Sequence, residues 1–230
     1  MGRYDYIGEN VRRIREACFA RAEALGIPTP ALVAVTKSAA DEEVTALVRD
    51  FGQEDIAENR AALFNARYAL FEEAERPRMH LIGQLQTNKV KYIIGKTALI
   101  HSLDSAHLAE ELEKQAAKRG IQVKVLAEIN SGRESAKGGL MPEEAERFVS
   151  SFAAYPHLSL CGLMTMGPVC DRPEDYRPFF RKTAGLFHRF EAAGYFSGKG
   201  ILSMGMSGSY LCALEEGATL IRVGRALFCH

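Results

Sequence analysis

The feature that most constrains this chain is an alternation repeated eight times. Short apolar or β-branched runs alternate with longer stretches of helical periodicity. The runs are Ala31–Thr36, Asp55–Glu58, Met79–Ile82, Ala98–Ser102, Val123–Asn130, Leu158–Thr165, Gly200–Met204 and Thr219–Val223. Between them the spacing predicts helices over Asp41–Arg49, Asn59–Glu75, Thr87–Ile94, Ala106–Lys118, Pro142–Phe152, Arg172–Ala193 and Ser209–Glu216. An extra helix, Asp5–Leu25, precedes the first strand. Gly26, Gly120, Gly194 and Gly217 stand where left-handed caps end helices, and Ser38, Asp104-Ser105 and Ser207 where N-caps begin them. Pro142 suits a first helical turn.

Eight such units in 230 residues fit a (β/α)8 barrel, a fold that typically takes about 250 residues. An open doubly wound sheet satisfies the same alternation, because strand order is not written in one sequence. No linker or low-complexity segment interrupts the pattern, so one domain over residues 1–230 is expected.

Composition narrows the function. The 29 Lys+Arg cancel 29 Asp+Glu, which argues against a nucleic-acid or anionic-membrane surface. No apolar run approaches the roughly 20 residues of a membrane span, and the charged N-terminus has no signal-peptide core. Five scattered cysteines without a C-x-x-C motif read as reduced thiols of a cytoplasmic protein.

In either architecture, functional groups collect at the carboxyl ends of the strands. Strand seven ends Met206-Ser207-Gly208-Ser209 and opens a helix; strand eight ends Arg222-Val223-Gly224-Arg225. Loops after strands seven and eight often bind phosphate, through free amides and a glycine that admits close approach. A plain helix cap and glycine turn would use the same residues, so this motif alone leaves both readings open. Lys37 ends the apolar strand Leu32-Val33-Ala34-Val35. A desolvated amine there can form a Schiff base, whereas a lysine reaching out to solvent is the plainer reading.

Other motifs fall short. Gly205-Met206-Ser207-Gly208-Ser209 lacks the second glycine of a nucleophile elbow, and only His230 follows it as a base. The stretch Gly132 to Gly138 has Ala136 and Gly138 where a P-loop needs Gly and Ser/Thr. The six histidines show no metal spacing.

Taken together, these residues resemble the pyridoxal phosphate homeostasis proteins, single-domain relatives of the alanine racemase N-terminal barrel (fold type III of the pyridoxal-phosphate proteins). The resemblance rests on Leu32–Lys37, Ile56–Asn59, His80–Lys89, Ser102–Ser105, Glu134–Gly139, Gly162–Met166, Leu202–Ser207 and Ile221–Gly224, in that order. It implies that Lys37 carries pyridoxal 5'-phosphate as a Schiff base. It also implies that Ser207, Gly208, Gly224 and Arg225 bind the phosphate and that Arg222 faces the pyridine nitrogen. Asn59, Met164 and Met204 are implied as pocket neighbours. Arg60 departs from the family, which usually has an aromatic there, and the chain stops soon after its last motif, at Phe228-Cys229-His230.

The resemblance points to a cofactor carrier acting in intracellular homeostasis, with apo-enzymes that need the cofactor as recipients and a monomer or weak homodimer as the assembly. The enzyme alternative is a weak amino-acid racemase. A cationic Arg222 disfavours protonation of the ring nitrogen, the state in which the cofactor is the best electron sink. A second catalytic base from a partner's extra domain is not expected. Lys137, in a mobile-looking glycine-rich loop, reads as solvated, with a secondary aldehyde acceptor as the sharper possibility.

Overall fold

The computed structural model describes residues 2–230. Eight parallel strands close into a barrel in simple sequential order: β1 (Ala31–Val35), β2 (Asp55–Glu58), β3 (Arg78–Leu81), β4 (Leu99–Leu103), β5 (Val123–Ile129), β6 (Leu158–Thr165), β7 (Ile201–Ser203) and β8 (Leu220–Val223). Closure is made by β1, which pairs Val33 with Arg222 and Ala34 with Val223 on one side and Val35 with Ala57 on the other. The open doubly wound alternative is thereby excluded. The helices are α1 (Asp5–Leu25), α2 (Asp41–Arg49), α3 (Ala61–Tyr68), α4 (Thr87–Ile93), α5 (Ala106–Arg119), α6 (Ala145–Ser150), α7 (Arg177–Ala192), α8 (Tyr210–Glu215) and α9 (Arg225–Phe228). None is long and apolar enough to cross a membrane.

Strand alternation sorts the core into two layers. Val33, Val35, Ala57 and Leu220, with Leu99, Leu126, Cys161 and Met164, fill the bore. Ala34, Ile56, Met79, Leu81 and Ile100 face outward into the larger layer beneath the helices. Parallel strands buried on both faces need apolar residues at successive positions, which is why the runs read as continuous rather than alternating. On α1, Ile7, Val11, Ile14, Cys18 and Ala22 are buried at helical spacing, and this stripe packs against α8 and α9. Asn10 Nδ2 donates to the Leu227 and Cys229 carbonyls at 3.2 and 2.9 Å, holding the last turn of chain against α1.

Three expectations about the helices need correction. The stretch Asn59–Glu75 is α3 followed by a 3-10 turn at Glu73–Glu75. Arg76 stacks 3.9 Å from the Tyr68 ring centroid and donates to the Tyr68 and Phe71 carbonyls, supplying partners that a continuing helix would have used. Pro142 precedes α6, which starts only at Ala145. Leu140 keeps the chain extended up to that point by exchanging backbone hydrogen bonds with Glu128 and Asn130. Ser38 caps nothing: α2 begins at Asp41, and the Ala40 amide donates to Glu43 at 2.6 Å.

Candidate cofactor site at the barrel mouth

The carboxyl ends of the strands converge on one mouth. Lys37 continues the inward phase of Val33 and Val35 and is exposed there. Asn59, half-buried, continues the phase of Ala57. Met164 is 1% exposed and belongs to the inner layer. Ends of neighbouring strands lie close together here: a Cβ on Gly83, just after β3, would sit 2.2 Å from the Asn59 carbonyl oxygen, so only glycine fits.

The loops after β7 and β8 are fastened by one hydroxyl. Ser207 Oγ accepts from the Gly224 amide at 3.3 Å and from the Ala226 amide at 3.2 Å. Ser207 was expected to cap the next helix, but Ser209 stands at that position; its hydroxyl makes no cap bond and accepts instead from the Met206 amide at 3.2 Å. The consequence is useful. The amides of Ser207, Gly208 and Arg225 make no hydrogen bond to another described residue. A Cβ on Gly208 would meet nothing within 4 Å, whereas one on Gly224 would lie 3.0 Å from the Val35 carbonyl oxygen. Gly224 therefore rests directly on the end of β1, two residues before Lys37. Free amides, a glycine floor and open space fit a tetrahedral anion. Because α8 and α9 have only six and four residues, the loop amides rather than long helix dipoles would hold it.

Arg222 lies just inside the mouth, 3% exposed. Its Nη1 donates to Ser203 Oγ at 2.6 Å and its Nη2 to the Thr165 carbonyl at 3.0 Å. Burial lowers its pKa to about 10, with Glu128 opposing the shift, so it remains a cation at neutral pH. Glu128 is pushed up to about 7 by burial and by Asp104, against the pull of Arg222.

Met204 does not line this mouth. Ser203 points inward to Arg222, so the next residue points outward, and Met204 is fully buried in the layer beneath the helices. In a strand of three residues the inward phase could not be assigned from sequence. The loop carrying Lys137 is ordered rather than free. Asn130 Nδ2 donates to the Glu134 and Lys137 carbonyls at 2.9 and 3.4 Å. Lys137 Nζ is 2.6 Å from Glu134 and donates to the Gly167 carbonyl at 3.3 Å.

The environment of Glu58, at the end of β2, was not foreseen from the sequence. Glu58 is fully buried outside the wall, where it accepts from Thr36 Oγ1 at 2.5 Å and lies 3.5 Å from Arg67 Nε. Burial pushes its pKa up to about 7, while the Thr36 hydrogen bond and the Lys37 charge pull it down. An acid at the end of an otherwise apolar strand was the available signal. Among the described residues no group of His, Cys, Asp or Glu could hold a metal, and all five cysteines are free.

Comparison with known proteins matches the geometry. Residues 4–230 match the family model described as alanine racemase, N-terminal domain. A pyridoxal phosphate homeostasis protein of Aquifex aeolicus is 42% identical over 185 residues, covering 79% of this chain and 80% of its own. One from Deinococcus radiodurans is 36% identical over 215 residues, covering 94% and 95%. The structure of PipY of Synechococcus elongatus with PLP bound superimposes with a TM-score of 0.83 at 26% identity, covering 97% of this chain and all of that one. Alanine racemase of Corynebacterium glutamicum, 15% identical, shares the fold with a TM-score of 0.72 over 60% of its length. The barrel and the near full-length similarity agree: the chain belongs to the pyridoxal phosphate homeostasis protein family.

Proposed function

We propose that this protein binds pyridoxal 5'-phosphate at the barrel mouth and holds it for delivery in the cytoplasm to enzymes that need it. Lys37 Nζ is the covalent anchor, forming a Schiff base with the aldehyde. The free amides of Ser207, Gly208 and Arg225, with Gly224 resting on β1, receive the phosphate. Arg222 faces the ring nitrogen, and Asn59 and Met164 border the ring. When bound, the cofactor would supply an electrophilic aldehyde conjugated to a ring able to accept electrons.

The observation that carries this reading is the stapled pair of loops lying against the strand end that bears Lys37. It supplies an anion cradle and a primary amine on the same rim. The cation at Arg222 argues for a holder rather than a catalyst, because a guanidinium beside the ring nitrogen opposes its protonation.

Absorbance of the purified protein with added cofactor and then amino acids tests the reading. A visible band on cofactor addition, with no exchange of the amino-acid α-proton into deuterated water, is expected. Sustained exchange would favour racemase-like chemistry, and no band would exclude the site.

A further inference from the structure

A chain of hydrogen bonds runs through the bore from the mouth to the floor. Arg222 Nη1 reaches Ser203 Oγ at 2.6 Å, and Ser203 Oγ is 3.0 Å from His101 Nδ1. His101 Nε2 is 2.9 Å from His80 Nδ1, and His80 Nε2 is 3.0 Å from Asp55 Oδ1. Asp55 opens β2 at the opposite end of the barrel, where Arg78 grips both its oxygens at 2.7 and 2.6 Å. His101 and Ser203 are fully buried, and His80 nearly so.

We propose that Ser203 and His101 are positioning residues for Arg222, and that the Asp55–His80 pair fixes the direction of every hydrogen bond between them. Each donor along the chain must meet an acceptor. Asp55 is an acceptor: burial would raise its pKa, but hydrogen bonds from Arg78 and His80 outweigh burial and hold it well below the usual carboxylate range. His80 Nε2 must therefore carry a proton, and a ring with that proton alone leaves Nδ1 as an acceptor. His101 must then donate from Nε2, so its Nδ1 accepts the Ser203 hydroxyl proton. With that proton committed, Ser203 Oγ has lone pairs only for the Arg222 N–H. Each bond is polarised in one sense, from the mouth to the floor.

The arrangement holds only while His101 is neutral, and burial, with the cationic Arg222 adding to it, keeps it so. The groups facing this chain are few. Arg78 and Glu54 flank the floor end, while Glu128 faces Arg222 at the mouth and Asp104 acts on Glu128. A second proton on His80 would turn its Nδ1 into a donor. It would reverse the His101 tautomer and rotate the Ser203 hydroxyl away from His101. Protonation at the floor would thus be felt at the guanidinium that faces the cofactor, and this last link rests on the proposed cofactor site.

The test separates the two layers of the argument. Long-range proton–nitrogen spectra of the cofactor-free protein, labelled at histidine and assigned with His101→Gln, report the tautomers directly. Protonated Nε2 and bare Nδ1 are expected on both His80 and His101 at about pH 8, with His101 still neutral at about pH 6. A protonated Nδ1 on His101, or a charged His101 in that range, overturns the proposal. Asp55→Ala should release the direction and give mixed tautomers at His101; an unchanged tautomer overturns it. In the loaded protein Ser203→Ala should weaken cofactor binding by about tenfold and shift the visible band, with Ser203→Thr restoring both. A Ser203→Ala protein with wild-type affinity, band and His101 tautomer also overturns the proposal. The expected tautomers in a wild-type protein that binds no cofactor would defeat the cofactor site and leave the hydrogen-bond direction standing.

Discussion

Two buried polar clusters sit on opposite sides of the same barrel wall, and they are built differently. Inside, Arg222, Ser203, His101, His80 and Asp55 are joined in one continuous chain. Outside, Glu58, Thr36 and Arg67 crowd together, with the exposed Asp41 reaching Arg67 from the edge, yet Glu58 Oε2 and Arg67 Nε have no hydrogen-bond partner. Successive residues divide between them: Thr36 and Glu58 face out where Lys37 and Asn59 face in. The difference teaches where each cluster can respond. The inner one is satisfied and directional, so it holds geometry. The outer one carries an acid whose charge is poorly compensated, so it responds to pH and to the charge on Lys37.

The largest expected effect comes from removing the inner amine. Lys37→Ala should abolish retention of cofactor through gel filtration. Because Lys37 is exposed at a strand end, the melting temperature should move by no more than about 3 °C. Next is the floor of the cradle. A side chain on Gly224 meets the Val35 backbone at 3.0 Å, so Gly224→Val must push the β8 loop away from β1. Losing one or two charge-assisted amide contacts would weaken cofactor binding by about 10- to 100-fold, measurable by fluorescence titration of the folded variant.

A smaller effect probes the outer cluster. Burial pushes the Glu58 carboxyl of the folded protein up to about 7 from its ordinary value of 4.5. The native state therefore binds more protons than the unfolded chain between these values, and stability falls as pH rises through that window. His101 acts in the opposite sense, since its lowered pKa costs stability as pH falls below about 6.5. Measured as a difference from wild type, Glu58→Gln should be near neutral at about pH 4.5 and raise the melting temperature by about 2–4 °C above pH 7. A pH-independent difference would mean that Glu58 is charged throughout. The smallest effect is at Lys137, whose amine is engaged with Glu134 and Gly167. Lys137→Ala should change cofactor affinity by less than about twofold, the scale of an exposed ion pair.

The fold was legible because its signal is periodic. Asp5–Leu25, Asp41–Arg49, Asp55–Glu58 and Leu158–Thr165 begin and end where the pattern placed them. Boundaries went astray where a long-range partner decided them, as Arg76 does at Tyr68 and Leu140 does before α6. The position of Lys37 and of the two loops at strand ends was legible, since carboxyl ends of barrel strands are identifiable once strands are. What could not be read was anything depending on which face a short strand presents, as with Met204, or on register between strands. His80 and His101 are 21 positions apart and meet only because β3 and β4 are paired neighbours.

The central claim is that Lys37, rather than another lysine, is joined to the cofactor at this mouth. Borohydride reduction of the cofactor-loaded protein, followed by peptide mass mapping, tests it most directly. The expected result is a reduced label on the peptide containing Lys37 in the wild type and no label there in Lys37→Ala. A label found mainly on Lys137 or Lys89 would contradict the account.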